Sequence, residues 1–170
     1  MDALISPGMT APDFTLPDLQ GTLHHLQELR GRVVILNFWS AECPWSRRAD
    51  HELLNLLPGW GEAVVYWAIA SNFNEPPELL QQAAAEHGLA TVLVDASQMV
   101  ADLYGAQATP QLYVIDPQGM LAYQGAFDDV TFRQRTPTRH YLQEAVQALL
   151  DGKQPDPAQT LAYGCAIVRG

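Results

Sequence analysis

The run Val33-Val34-Ile35-Leu36-Asn37-Phe38 constrains this chain more than any other segment. It is continuous, apolar and rich in β-branched residues, which reads as a strand buried on both faces rather than one that alternates between core and water. Six residues later Pro44 suits the first turn of a helix, where a missing N–H costs nothing. Cys43 therefore stands at a strand-to-helix junction. A thiol there meets the unpaired N–H groups and positive end of the helix, which favour the thiolate. Each unit of pKa lowering is worth roughly 1.4 kcal/mol of thiolate stabilisation.

Around this junction the chain reads as an alternation of strands and helices. A hairpin falls near Phe14–Leu23, the strand at Val33–Phe38, and a helix from Pro44 to about Leu57. A second buried strand follows at Ala63–Ala70, then a helix between Pro77 and His87, a short strand at Thr91–Val94 and a short helix at Gln98–Tyr104. Leu112–Ile115 and Leu121–Tyr123 form a closing hairpin, with Asp116-Pro117-Gln118-Gly119 supplying its turn chemistry. A last helix at Arg139–Leu150 shows Leu142, Val146, Leu149 and Leu150 on one face. The pattern predicts a layered α/β domain over residues 1–152. Asp151-Gly152-Lys153-Gln154-Pro155-Asp156-Pro157 ends that helix, and residues 153–170 are expected to form a tail packed back on the domain.

Four segments carry a family resemblance. Asn37-Phe38-Trp39-Ser40-Ala41-Glu42-Cys43-Pro44-Trp45-Ser46-Arg47 resembles the active-site turn of thioredoxin-like redoxins. Ala11-Pro12-Asp13-Phe14-Thr15-Leu16-Pro17-Asp18-Leu19-Gln20-Gly21 is similar to the N-terminal hairpin of the alkyl hydroperoxide reductase/thiol-specific antioxidant (peroxiredoxin-like) superfamily. Ala108-Thr109-Pro110-Gln111-Leu112-Tyr113-Val114-Ile115-Asp116 is similar to that superfamily's Thr-cis-Pro segment and the strand after it. Tyr163-Gly164-Cys165-Ala166-Ile167-Val168 resembles the tail of a peroxiredoxin-like subgroup. The resemblance implies a thioredoxin fold: a central mixed β-sheet flanked by helices, with an N-terminal β-hairpin and a C-terminal tail.

It also implies thiol-disulfide oxidoreductase activity with Cys43 as the attacking thiolate. Ser46 stands where a Cys-x-x-Cys turn carries its second thiol, so this Cys-Pro-Trp-Ser turn holds a single cysteine. Ser46 is then a candidate hydrogen-bond partner for Cys43, one helical turn on. Trp45 is expected to offer an apolar platform, and Thr109 and Pro110 to present backbone to an extended peptide. Cys165, far along the chain, is a candidate resolving thiol that would attack a mixed disulfide at Cys43. Its alternative is a tail cysteine packed in a small apolar pocket. Glu42 would oppose the thiolate and Arg47 and Arg48 would favour it, if their side chains reach.

Two rival readings stand beside this one. A peroxiredoxin-like thiol peroxidase with antioxidant activity is the first. Against it, Leu36 lies where the peroxidase motif has proline, although Ser40 is compatible; alignment on the helix places its cysteine at Ser46, and Pro110 holds the place of its arginine. The second is a redox-inactive binding module that keeps the fold and the groove.

The remaining features narrow the class. The net charge of −10 argues against nucleic acid or an anionic membrane surface as partner. The expected partners are protein or small-molecule thiols and disulfides, with an external thiol such as thioredoxin supplying electrons. No apolar stretch follows Met1-Asp2-Ala3, so no signal or anchor is expected and the location read from sequence is cytoplasmic. Two cysteines in such a setting suit chemistry better than a structural framework. His24, His25, His51, His87 and His140 show no metal-ligand spacing, and no metal or organic cofactor is implied. Asp128-Asp129 reads as a solvated turn.

Overall fold

A computed structural model describes residues 4–170. The buried run is β3 (Val33–Trp39), whose seven residues are all buried. It lies at the centre of a five-stranded sheet, with β4 (Val64–Ala70) and β5 (Val92–Val94) beyond one edge and β7 (Gln111–Ile115) and β8 (Leu121–Gly125) beyond the other. β3 runs parallel to β4, in register from Val33 opposite Val64 to Trp39 opposite Ala70, and antiparallel to β7. β5 is parallel to β4, and β8 closes the sheet antiparallel to β7. This is the mixed thioredoxin-type sheet the sequence leads one to expect. An N-terminal hairpin of β1 (Thr15–Pro17) and β2 (Leu23–His25) forms a separate two-stranded ribbon.

Helices cover both faces. Leu36, Phe38, Trp67, Ile69, Tyr104 and Tyr113 pack on the face toward the hairpin and α3 (Met99–Tyr104). Val33, Ile35, Leu112, Val114 and Tyr123 pack on the opposite face under α1 (Pro44–Trp60) and α4 (Tyr141–Leu150). A third cluster joins Trp39 and Ala68 to Leu80, Ala83 and Ala84 of α2 (Pro77–His87).

Two expectations need correction. α1 does not stop near Leu57 but continues through Pro58 to Trp60. The proline forfeits one backbone bond near the helix end, while Leu57 and Trp60 on that last turn pack against the core. On α4 the inward face is Leu142, Ala145 and Val146, with Leu149 partly covered; Leu150 is exposed, one position past the packed stripe.

The tail after α4 runs back across the domain. Gln124 N–H donates to the Ala158 carbonyl and Thr160 N–H to the Gln124 carbonyl, 3.1 and 3.0 Å, fixing the tail along β8. The chain then crosses to β6 (Ala108–Thr109) and pairs with it as β9 (Cys165–Ala166), antiparallel, with Thr109 opposite Cys165 and Ala108 opposite Ala166. Beyond that, Ile167 N–H donates to the Gln107 carbonyl and Phe73 N–H to the Val168 carbonyl. Arg169 reaches Asp102 at 2.6 Å.

Candidate functional site

β3 delivers the chain to the sheet's carboxyl edge, and Cys43 caps α1 there with extended backbone (φ −85°, ψ 120°). Its side chain is 3% exposed. The Sγ–H donates to the Thr109 carbonyl at 3.3 Å. The Thr109–Pro110 bond is cis. Opposite Thr109, the tail sets Cys165 beside Cys43, and both thiols are free. The two thiols are near enough for each to act on the other's ionisation.

The two thiols are electrostatically unequal. Burial pushes Cys43 up, but contacts from the Cys165 side chain, the Ser46 backbone N–H, the Thr109 side chain and the Cys165 backbone outweigh it, so Cys43 sits below the usual thiol range. Burial pushes Cys165 up to about 11, aided by the adjacent Cys43 sulfur and the charge of Glu75. Of the two thiols, Cys43 is thus the one that gives up its proton more readily.

Ser46 acts differently from the expectation. Its hydroxyl accepts from the Ser40 N–H at 3.3 Å, in a fully buried position. The Ser46 main-chain N–H is what approaches the Cys43 sulfur, as the geometry of a helix start dictates. The arginines are also occupied elsewhere. Arg48 pairs with Asp128, which is buried rather than the solvated turn residue its Asp-Asp context suggests. Arg47 and Glu42 are exposed. Trp45 is half-buried, and its ring meets Tyr163 of the tail edge to face, with centroids 4.9 Å apart.

Two groups near the turn escaped the sequence reading. Glu75, from the loop after β4, accepts the Ser40 hydroxyl at 2.5 Å and the Ala41 N–H at 2.9 Å, and so holds the turn that leads into Cys43. Behind it lies a buried polar network centred on Asp50 of α1. Asp50 Oδ2 accepts the Trp39 indole N–H and contacts His87 Nδ1, both at 2.7 Å, while Oδ1 accepts the Tyr66 hydroxyl at 3.4 Å. Burial raises the Asp50 carboxyl above its ordinary range, against hydrogen bonds from His87 and Trp39 that lower it. The signal for Asp50 was faint: a carboxylate on the inward face of an amphipathic helix, between Ala49 and Leu53. Among the described residues no cluster of three His, Cys, Asp or Glu side chains is placed to hold a metal, and no helix is long and apolar enough to cross a membrane.

A central mixed sheet, a cysteine at the first turn of the following helix and a Thr-cis-Pro strand beside it define a thioredoxin-like redoxin. The chain belongs to the AhpC/TSA family, whose pattern matches residues 7–124. It is similar to the thiol-disulfide oxidoreductase ResA of Geobacillus thermodenitrificans, 34% identical over 68% of this chain and 66% of that protein. The match thus stops just short of two thirds of that relative's length. A hypothetical protein of Sinorhizobium meliloti has the same fold with a TM-score of 0.87 at 32% identity, covering 97% of this chain and 95% of that one. An uncharacterised protein of Geobacillus kaustophilus superposes with a TM-score of 0.88 at 29% identity, covering 98% and 94%. These two extend over the tail, whereas the family match ends at Gln124.

Proposed function

We propose that this protein is a thiol-disulfide oxidoreductase in which Cys43 attacks and Cys165 resolves. The Cys43 thiolate attacks one sulfur of a substrate disulfide, forming a mixed disulfide and releasing the other sulfur as a thiolate. Cys165 passes its proton to the thiolate released in the first step and attacks the Cys43 sulfur, which releases the second substrate thiolate and leaves a Cys43–Cys165 disulfide. Two external thiols, the pair of a thioredoxin or two molecules of a low-molecular-weight donor, then reduce that bridge and leave as a disulfide. Cys43 is the better attacking group because it is held below the usual thiol range, and Cys165 keeps its proton until the mixed disulfide removes the neighbouring charge.

The observation that carries the reading is the pairing of Thr109 with Cys165, which brings a residue of the tail against the N-cap of α1. The ResA likeness agrees with the reaction class. Ser46 fits this division of labour: it stands where a Cys-x-x-Cys turn carries its second thiol, and the tail brings a thiol from outside the turn. A cytoplasmic location is part of the same proposal, since both cysteines are placed for chemistry and neither serves as a framework.

The test is chemical. Reduced protein mixed with a peptide disulfide should yield an intramolecular bridge between Cys43 and Cys165, identified by peptide mass mapping. The Cys165→Ser variant should stop at a mixed disulfide on Cys43. Failure of the bridge to form, with Cys43 reacting normally, would remove Cys165 from the cycle. Saturable consumption of a hydroperoxide with sulfenic acid at Cys43 would replace the reading with a peroxidase.

A further inference from the structure

The tail covers the edge of β6 as a peptide would. Its pairing with Ala108 and Thr109 is antiparallel, its own cysteine faces Cys43, and beneath it Cys43 is only 3% exposed. A macromolecular disulfide cannot reach that sulfur while the tail is seated. The contacts also have the character of sequence-selective recognition. A Cβ on Gly164 would lie 2.0 Å from the Thr109 carbonyl oxygen and 3.1 Å from Pro110 Cδ, so the position before the cysteine accepts only glycine. One residue earlier, Tyr163 stands edge-on to Trp45. Two residues after Cys165, Ile167 is buried among the core side chains and its N–H reaches the Gln107 carbonyl at 2.9 Å.

We propose that β6, Pro110 and Trp45 form a recognition groove for extended peptides of the pattern aromatic–Gly–Cys–small–aliphatic, and that residues 163–168 are its resident occupant, which such a partner displaces. The seated tail defines what the groove accepts, by backbone pairing for affinity and by side-chain fit for selection. The aromatic lies against Trp45, the glycine against the Thr109 carbonyl, the cysteine against Cys43 and the aliphatic residue in the Ile167 site. The tail competes in cis, so the apparent affinity for a free peptide is reduced by the fraction of molecules whose groove is open. This rests on the oxidoreductase reading for its purpose, but the recognition itself requires no thiol chemistry.

The test uses the full chain and a fluorescein-labelled hexapeptide, Tyr-Gly-Ser-Ala-Ile-Val, with serine in place of cysteine so that binding stays non-covalent. Gly164→Val drives a side chain into the Thr109 carbonyl and expels the tail; anisotropy should then report binding about tenfold tighter than to the parent. Tyr163→Ala, which removes the ring contact without adding bulk, should shift affinity in the same direction by a smaller factor, and serves if Gly164→Val does not fold. A control peptide, Tyr-Val-Ser-Ala-Ile-Val, carries the same clash and should not bind. Equal affinity of the parent and the folded variants, or equal binding of both peptides, would overturn the proposal. So would self-association of Gly164→Val without a gain in peptide affinity, which would make a second copy of this chain the occupant. Binding of this serine peptide, together with no Cys43–Cys165 bridge after the separate treatment with a peptide disulfide, would sink the resolving role and leave the groove intact.

Discussion

Trp45 and Tyr163 stand perpendicular to each other, their ring planes at 86° and their centroids 4.9 Å apart. One ring belongs to the first turn of α1 and the other to the tail, so the contact spans the site above Cys43. Edge-to-face pairs of this kind are worth about 1 kcal/mol beyond their buried area. That is enough to bias the tail toward its seat and too little to lock it there.

The unequal thiols give the first prediction. Cys43 lies below the ordinary thiol range and Cys165 is pushed up to about 11. Alkylation by iodoacetamide, followed at each cysteine by mass spectrometry, should therefore show Cys43 reaching half its limiting rate at a lower pH than an unfolded thiol, and Cys165 only at a pH of about 11. Coincident profiles would contradict the assignment.

The contact between the thiols gives the second. The Cys165 side chain is the largest of the groups that lower Cys43. Cys165→Ala removes that donor, so the Cys43 alkylation midpoint should move upward and its rate at neutral pH should fall. A downward shift would show that burial by the tail, rather than its hydrogen bond, dominates.

Asp50 gives a prediction about stability. Its carboxyl is raised in the folded state, so its protonated form contributes stability that is fully present below the ordinary carboxylate pKa and is lost as pH rises through the folded value. Asp50→Asn cannot titrate, so it carries a fixed cost from its altered contacts with Trp39 and His87 at every pH. Urea unfolding of both proteins should show the parent's advantage shrinking between pH of about 4 and neutrality. A gap that widens with pH would mean that the His87 pairing outweighs burial.

Gly125 gives the last. It has φ +141°, and a Cβ there would lie 2.2 Å from Thr160 Oγ1 and 2.4 Å from the Thr160 carbonyl oxygen. Thr160 in turn accepts the Ala126 N–H at 2.9 Å and bonds to the Tyr123 hydroxyl at 2.7 Å. Gly125→Ala should therefore destabilise the fold by about 3 kcal/mol in denaturant titration. It should also loosen the tail at its root, seen as faster alkylation of Cys43. A neutral effect would show that Thr160 shifts freely.

Much of this architecture was legible because its signals are local. β3 announces itself by a continuous apolar run, and α2 lies between Pro77 and Gly88, a start and a stop that need no tertiary context. The Asp116–Gly119 turn carries its own bond, from the Gly119 N–H to the Asp116 carbonyl at 2.9 Å. The rest depends on partners distant in sequence. Strand β9 is two residues long and exists only because β6 lies opposite it. Asp50 meets His87 through the packing of α1 against α2, and Glu75 meets Ser40 across the ends of two neighbouring strands. No periodicity encodes such meetings. Residue spacing places Ser46 beside Cys43 but says nothing of which of its groups, hydroxyl or amide, points there.

The strand order has a consequence for timing. β3 is bonded on both sides along nearly its whole length, whereas β9 is bonded on one side over two residues. Hydrogen exchange should find the amides leading to Cys43 among the last to open and those flanking Cys165 among the first. One sulfur is thus mounted on the part of the molecule that keeps its shape longest, and the other on a part that can leave and return many times during that interval. In the proposed cycle, the step between them is set to the rhythm of the looser partner.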